Sequence, residues 1–392
     1  MEPKSLSNPW AIVQYKPKER AIRIGIFYSS NSIAQAISGF LAVGIDTLNQ
    51  RGGLKSWQWV FIIEGAMPIF LSIPLYLLLL TFPEDSKSLS DRERHIAINR
   101  FGRGSTRKTD VTWDTKAFLR IMSRPSTYMF FVSYICIAIT AVAQATFLPT
   151  ILKSVNTPPS APLMKFSTQK ANLYTAIVNL VAVPLYWTYP YHSDWTRERM
   201  WHYIAPIACS IPCYAVWTSV SSANLGTPEG SPSNSSISHL AMYGVAFLGQ
   251  LLLISQPVML SYRSSTLYGA AEQAVGTSTA VAALSIASII APQMYPHSDS
   301  PYFLPGFSAT LALLGLSIFS YLAIPYCLLV EAQARKRETG HALPIQALED
   351  AERSQVSEAA MARIQELRIG DEGGKEGGGV GVRFVHDEEV GR

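Results

Sequence analysis

Among the carboxamides in the apolar stretches of this 392-residue chain, five stand well inside them: Asn31, Gln35, Gln144, Asn179 and Gln250. Asn31 and Gln35 stand one helical turn apart, and Gln144, Asn179 and Gln250 each fall in the middle or second half of their own apolar run. An amide both donates and accepts hydrogen bonds and carries no charge, which suits a carboxylate or ureido group. The same residues also serve as glue between membrane helices, worth about 0.6 kcal/mol apiece on average. A carboxylate, Glu64, stands in "WQWVFIIEGAMPIF" (57–70), and the sixteen residues after it (65–80) hold no charge. Asp194, Arg197 and Arg199 form a third group in "HSDWTRER" (192–199), where an apolar run gives way to a charged turn. They can act as a latch, the carboxylate pairing with basic groups or a helix N-terminus in one state and parting in another. They can equally be a solvated turn.

What these residues do depends on their solvent. Apolar residues make up 48% of the chain and charged residues 15%, well below the roughly 25% usual in soluble domains. Charge is segregated: 125–152 and 238–262 carry almost none, while 82–124 and 331–392 are dense in it. Eight stretches are long and apolar enough for about one membrane crossing each: 24–45, 58–80, 127–152, 172–191, 203–221, 239–260, 273–296 and 304–329. The weakest is 172–191, with Asn172, Asn179 and a late cluster of tyrosines and tryptophan that reads as an interfacial belt. With the N-terminus inside, cytoplasmic segments hold 20 Lys and Arg against 5 on the other side, so both termini are expected in the cytoplasm. The expected fold is all-α, a polytopic membrane bundle of about eight helices. The pieces are 1–81 with two spans, 82–125 as a basic cytoplasmic linker, 126–330 with six spans, and 331–392 as a largely disordered tail.

Within the linker, "SLSDRERHIAINRF" (88–101) predicts a helix capped at Ser90, with Asp91 and Glu93 early and Arg100 late. The first twenty residues lack the apolar core of a signal peptide. Asn234, in Asn-Ser-Ser, falls on an outer loop and is a possible glycosylation acceptor.

Several function classes are disfavoured. The seven histidines are scattered and mostly in predicted loops, which argues against a metal centre or an intramembrane acid–base enzyme. No nucleotide-binding glycine motif appears, which disfavours a primary pump. The four cysteines make no zinc or disulfide spacing. The 82–124 loop is basic without an aromatic-rich pattern, so membrane orientation explains it better than nucleic acid does. No cofactor is expected.

The loops carry a resemblance. "YKPKERAIRIGIFYSS" (15–30), "WQWVFIIEG" (57–65), "FPED" (82–85), "FSTQKANLYT" (166–175), "HSDWTRER" (192–199) and "IAPQMYPHSDSPYFLPG" (290–306) occur in this order and at these spacings. Together they resemble the fungal allantoate permease family, an anion:cation symporter branch of the major facilitator superfamily. That resemblance implies two six-helix halves and reads 1–81 as the last two helices of the first half, a truncated major facilitator fold lacking its first four helices. It departs from the family at Pro190, where a small glycine is usual four residues before the aspartate.

It further implies proton-coupled uptake of a small organic anion, allantoate-like or a vitamin carboxylate. The plasma membrane is favoured, with the vacuolar membrane as the alternative. Substrate would lie near the midplane, making Asn31, Gln35, Gln144, Asn179 and Gln250 the candidate binding groups and Asp194, Arg197 and Arg199 the gating loop. Glu64 enters from the outer surface, about seven residues or roughly 10 Å in. That is shallow for a midplane relay, so it is read first as structural and second as a coupling carboxylate. The rival reading is a shortened, non-transporting membrane protein that needs a partner.

Overall fold

The computed structural model describes residues 17–78, 89–94, 115–154, 168–224, 239–267, 269–299 and 302–339. Among these residues there are helices and no strand. In chain order they are α1 (Pro17–Asp46), α2 (Ser56–Leu78), α3 (Thr115–Met122), α4 (Pro125–Ser154), α5 (Thr168–Thr196), α6 (Met200–Asn224), α7 (His239–Gln250), α8 (Ser255–Ser265), α9 (Gly269–Met294) and α10 (Leu304–Thr339). The linker helix is seen at its start, where Ser90 Oγ accepts the Glu93 N–H at 3.4 Å and Glu93 Oε2 accepts the Ser90 N–H at 3.0 Å. This is a reciprocal capping box.

Among the described residues six spans are long and apolar enough to cross a membrane: Ser56–Leu77, Pro125–Leu152, Met200–Ala223, Tyr243–Ser265, Glu272–Met294 and Leu304–Ala334. The expected crossings at 24–45 and 172–191 form long helices too, α1 and α5, but are too polar to qualify. These two pack on each other along their length, antiparallel. Glycine permits the approach. A Cβ on Gly25 would come within 2.4 Å of the Tyr186 carbonyl oxygen and 2.9 Å of Pro190 Cγ, and one on Gly39 within 3.0 Å of Asn172 O and Ala176 Cβ. Pro190, the departure from the family pattern, is thus seated against Gly25.

The other helices gather on α4, which packs against α9 and α10, with α10 also against α6 and α6 against α7. A layer of aromatic rings fills this core. Tyr203 and Tyr321 stack at 3.8 Å, Phe130 lies 5.4 Å from Tyr262, and the Tyr203 hydroxyl bonds Ser317 Oγ at 2.7 Å. α2 is different: none of its apolar window is buried, and it leans on α1.

One irregularity positions the site. Proline at 257 lacks an N–H and its ring crowds the carbonyl four residues back. The chain answers with a 3₁₀ turn over Leu251–Ile254 between α7 and α8, and Ser255 Oγ donates to Leu252 O at 2.6 Å. Gln250 is the last residue before this break.

Candidate functional site

Three of the five carboxamides meet. Asn179 Nδ2 donates to Thr175 O, one turn back on α5, at 3.0 Å. Its Oδ1 accepts from Gln250 Nε2 at 2.8 Å, and Gln250 Oε1 accepts from Gln144 Nε2 at 3.0 Å. The Tyr214 hydroxyl closes the chain on Gln144 Oε1. Because a carbonyl can only accept, Thr175 O orients Asn179, which orients Gln250, which orients Gln144. The relay runs from α6 through α4 and α7 to α5. Its amides are 1–4% exposed. Each amide nitrogen retains a second N–H, and each oxygen a second lone pair, for a further partner. Turned over, the Gln144 amide instead donates to Gly249 O at 3.1 Å and accepts from the Gln250 backbone N–H at 3.2 Å. In that orientation its oxygen faces Gln250 Oε1 at 3.0 Å, so the bond from Gln144 to the Gln250 side chain belongs to the first orientation alone.

Asn31 and Gln35 do not join this relay. They lie on another stripe of α1 with Ser38, and Asn31 is exposed. Ser38 Oγ donates to Glu64 Oε1 at 3.1 Å, so Glu64 pairs with a hydroxyl of α1. Glu64 is the ninth residue of α2, about 12 Å along it, slightly deeper than the sequence suggested.

The charged turn assembles where α1, α4, α6 and α9 begin and α5, α8 and α10 finish, here called the near end. Asp194 ion-pairs with Arg199, and its oxygens accept the backbone N–H of Ile22 at 2.8 Å and of Ala21 at 3.4 Å. The carboxylate thus binds the backbone of α1 at its fifth and sixth residues, near the helix end whose dipole favours negative charge. Burial pushes its carboxyl above the ordinary carboxylate range, against the pull of Arg199 and the two N–H groups. Arg199 also holds Ser193 Oγ at 3.0 Å. Arg197 takes a different role: it sits at φ 58°, the left-handed residue of the α5–α6 turn. Arg20 of α1 reaches Ser264 of α8 at 2.9 Å. The near end is therefore closed across α1, α5 and α8.

Sequence reasoning missed a second charged group at this end. Arg124 and Glu272 form a buried two-bond pair at 3.0 and 2.8 Å. Beside it Arg263 donates to Thr127 Oγ1 at 2.9 Å and lies 4.9 Å from the centre of the Phe130 ring, while Glu331 accepts the Ser126 N–H at 2.8 Å. Tyr214 was missed as well, because a tyrosine in an aromatic-rich span carries no signal of its own. Among the described residues no cluster of three or more metal-ligating side chains occurs. Asn234 lies outside the described residues.

Comparison with known proteins follows this geometry. The model of the Major Facilitator Superfamily matches residues 5–292, and the chain belongs to that family. It is a multi-pass membrane protein of a transporter family, not an enzyme. It is 22% identical over 331 residues to an uncharacterized transporter of Schizosaccharomyces pombe, covering 83% of this chain and 60% of that one. It is 22% identical over 326 residues to the major facilitator-type transporter hxnP of Emericella nidulans, covering 83% and 61%. A 29% identity over 188 residues links it to the MFS-type transporter efuF of Hormonema carpetanum, covering 48% and 36%. The chain thus spans about 60% of the length of the first two relatives.

Proposed function

We propose that this protein moves a small organic anion, allantoate-like or a vitamin carboxylate, across its membrane together with protons. The observation that carries the reading is the relay of Gln144, Gln250 and Asn179, three buried amides from three helices with donor and acceptor capacity still to give. Asn31 and Gln35 would supply a second polar wall on α1. Asp194, Arg197 and Arg199 are the gate, on the cytoplasmic side by the distribution of Lys and Arg, with the plasma membrane the favoured location. Uptake of labelled organic anions by cells expressing the protein tests this. Gln250→Leu leaves buried partners unsatisfied, so uptake efficiency should fall about tenfold or more. Unchanged uptake, with only a lower melting temperature, would make the relay structural glue. Glu64→Gln addresses coupling: loss of the pH dependence of uptake assigns the coupling proton to Glu64, and an unaltered profile leaves it structural.

A second reading is that the protein works only with a partner that covers α2. It is favoured by α2, of whose apolar window no residue is buried. Co-purification from native membranes with a second polytopic chain, and no uptake by the protein alone, would select it.

A further inference from the structure

The geometry points to an acid-operated fastening between α5 and α6, built from Glu198, His202 and His192. Glu198 Oε2 lies 2.8 Å from His202 Nδ1, and His202 Nε2 lies 2.7 Å from His192 Nδ1. An ionised carboxylate only accepts, so His202 Nδ1 carries a proton. The gap between the rings holds one more. That proton sits on His192 when His202 is neutral, and on His202 when that ring is charged. Both arrangements keep the chain intact. Charging both rings sets N–H against N–H at 2.7 Å and breaks it. Imidazole is the side chain here that takes up a proton as the medium turns acid; the first such proton leaves the chain intact and the second opens it.

The surroundings fit this use. The Tyr189 ring lies 5.3 Å from His202 and the Trp195 ring 5.8 Å from His192, and aromatic faces tolerate one cation. Arg197 and Arg199 on the same turn oppose a second. Asp194 is engaged by Arg199. Tyr321 of α10 feels both Glu198 and Arg199, and Cys209 of α6 neighbours Tyr189. On its other partner, α1, the charged groups at this end are Glu19, Arg20 and Arg23. Burial pushes the Glu198 carboxyl up, but bonds from His202 and from the backbone N–H of Trp201, His202 and Met200 outweigh it and hold the carboxyl below its ordinary range. Glu198 therefore stays an acceptor for His202 as the medium turns acid. Its effect on the gate rests on the transport reading above, whereas the fastening does not.

The test is hydrogen exchange of the backbone over 192–203 in the full chain in nanodiscs, at pH 7.5 and 5.5. Wild type is compared with His192→Gln at each pH, so intrinsic exchange and every other titrating group cancel. Glutamine bonds His202 in either direction without taking a charge. The two should match at pH 7.5, and at pH 5.5 wild type should exchange about three- to tenfold faster, the value of one hydrogen bond. A His202→Gln chain should likewise be protected at pH 5.5. Equal exchange of all three proteins at pH 5.5 overturns the proposal. Uptake is not the readout, so failure of the fastening and failure of the transport reading remain distinct.

Discussion

At the scale of single residues, the strongest constraint is charge buried far from water. Arg124 and Glu272 keep side-chain exposures of 9% and 6%. Removing one partner leaves the other charged, buried and unpaired, which costs about 3–5 kcal/mol. Glu272→Ala should therefore lower the unfolding midpoint sharply in detergent. The double replacement Arg124→Met with Glu272→Met should recover most of the loss, since a hydrophobic pair of similar volume avoids desolvation altogether. A double variant as unstable as the single one would mean that the wider group around Arg263 and Glu331 sets the cost. Glu198 gives a prediction in pH. Its carboxyl is held below the ordinary range, so it contributes stability above the unfolded value that is lost as pH falls through the depressed one. The melting difference between wild type and Glu198→Gln should accordingly persist at neutral pH and vanish in strong acid. Residues like these mark the limit of sequence reading. Asp194 and Arg199 could be paired by eye because five positions of one turn separate them. Arg124 and Glu272 are 148 residues apart, and nothing local in either neighbourhood names the other. His192 and His202 read as scattered loop residues, because a turn between two helices brings them together only once both helices are packed.

At the scale of elements, periodicity and composition made the helices legible, and two local exceptions explain what was not. α1 and α5 are more polar than the other spans and pack on each other along their length, while Ile26, Phe27, Ile37 and Phe40 of α1 and Leu180 and Val181 of α5 remain exposed. Gly25 and Gly39 are the residues that let them meet. A methyl at 25 would strike the Tyr186 backbone oxygen, at 2.4 Å, and backbone cannot swing aside as a side chain can. Gly44, on the same helix, has nothing within 4 Å of a Cβ. Gly25→Ala should thus lower the melting temperature, whereas Gly44→Ala should hold or raise it, by up to about 1 kcal/mol from helix propensity. If both variants behave alike, the α1–α5 approach is not limiting. The second exception is the break after Gln250. Five amides could be listed from the sequence, but which of them converge depended on where Pro257 interrupts the helix. Gln250, the last residue before this turn, meets Gln144 and Asn179, while Asn31 and Gln35 lie on a different stripe of α1.

At the scale of the whole molecule, polar interactions divide between two levels: an uncharged relay inside the bundle, and charged groups at the near end. In the transport reading proposed above, the ends open and close in alternation around a fixed site, and the near end is tied to the first turns of α1. Asp194 contributes through Arg199 and two backbone N–H groups. Asp194→Asn keeps the shape and removes the charge from these bonds, and bonds to charged groups contribute about 1.5–3 kcal/mol. The balance should therefore move tenfold or more towards an open near end. A thiol reports it. Ser264→Cys, buried beneath Arg20, should react several-fold faster with a membrane-impermeant maleimide when Asp194 is replaced by Asn, in a background where Cys209 and Cys327, the two cysteines that are not buried, are serine. Both proteins lack the Arg20–Ser264 bond equally, so the difference belongs to Asp194. Equal labelling would reduce Asp194 to an acceptor for the α1 backbone and return the gate to the other groups of the near end, the Arg124–Glu272 pair first among them.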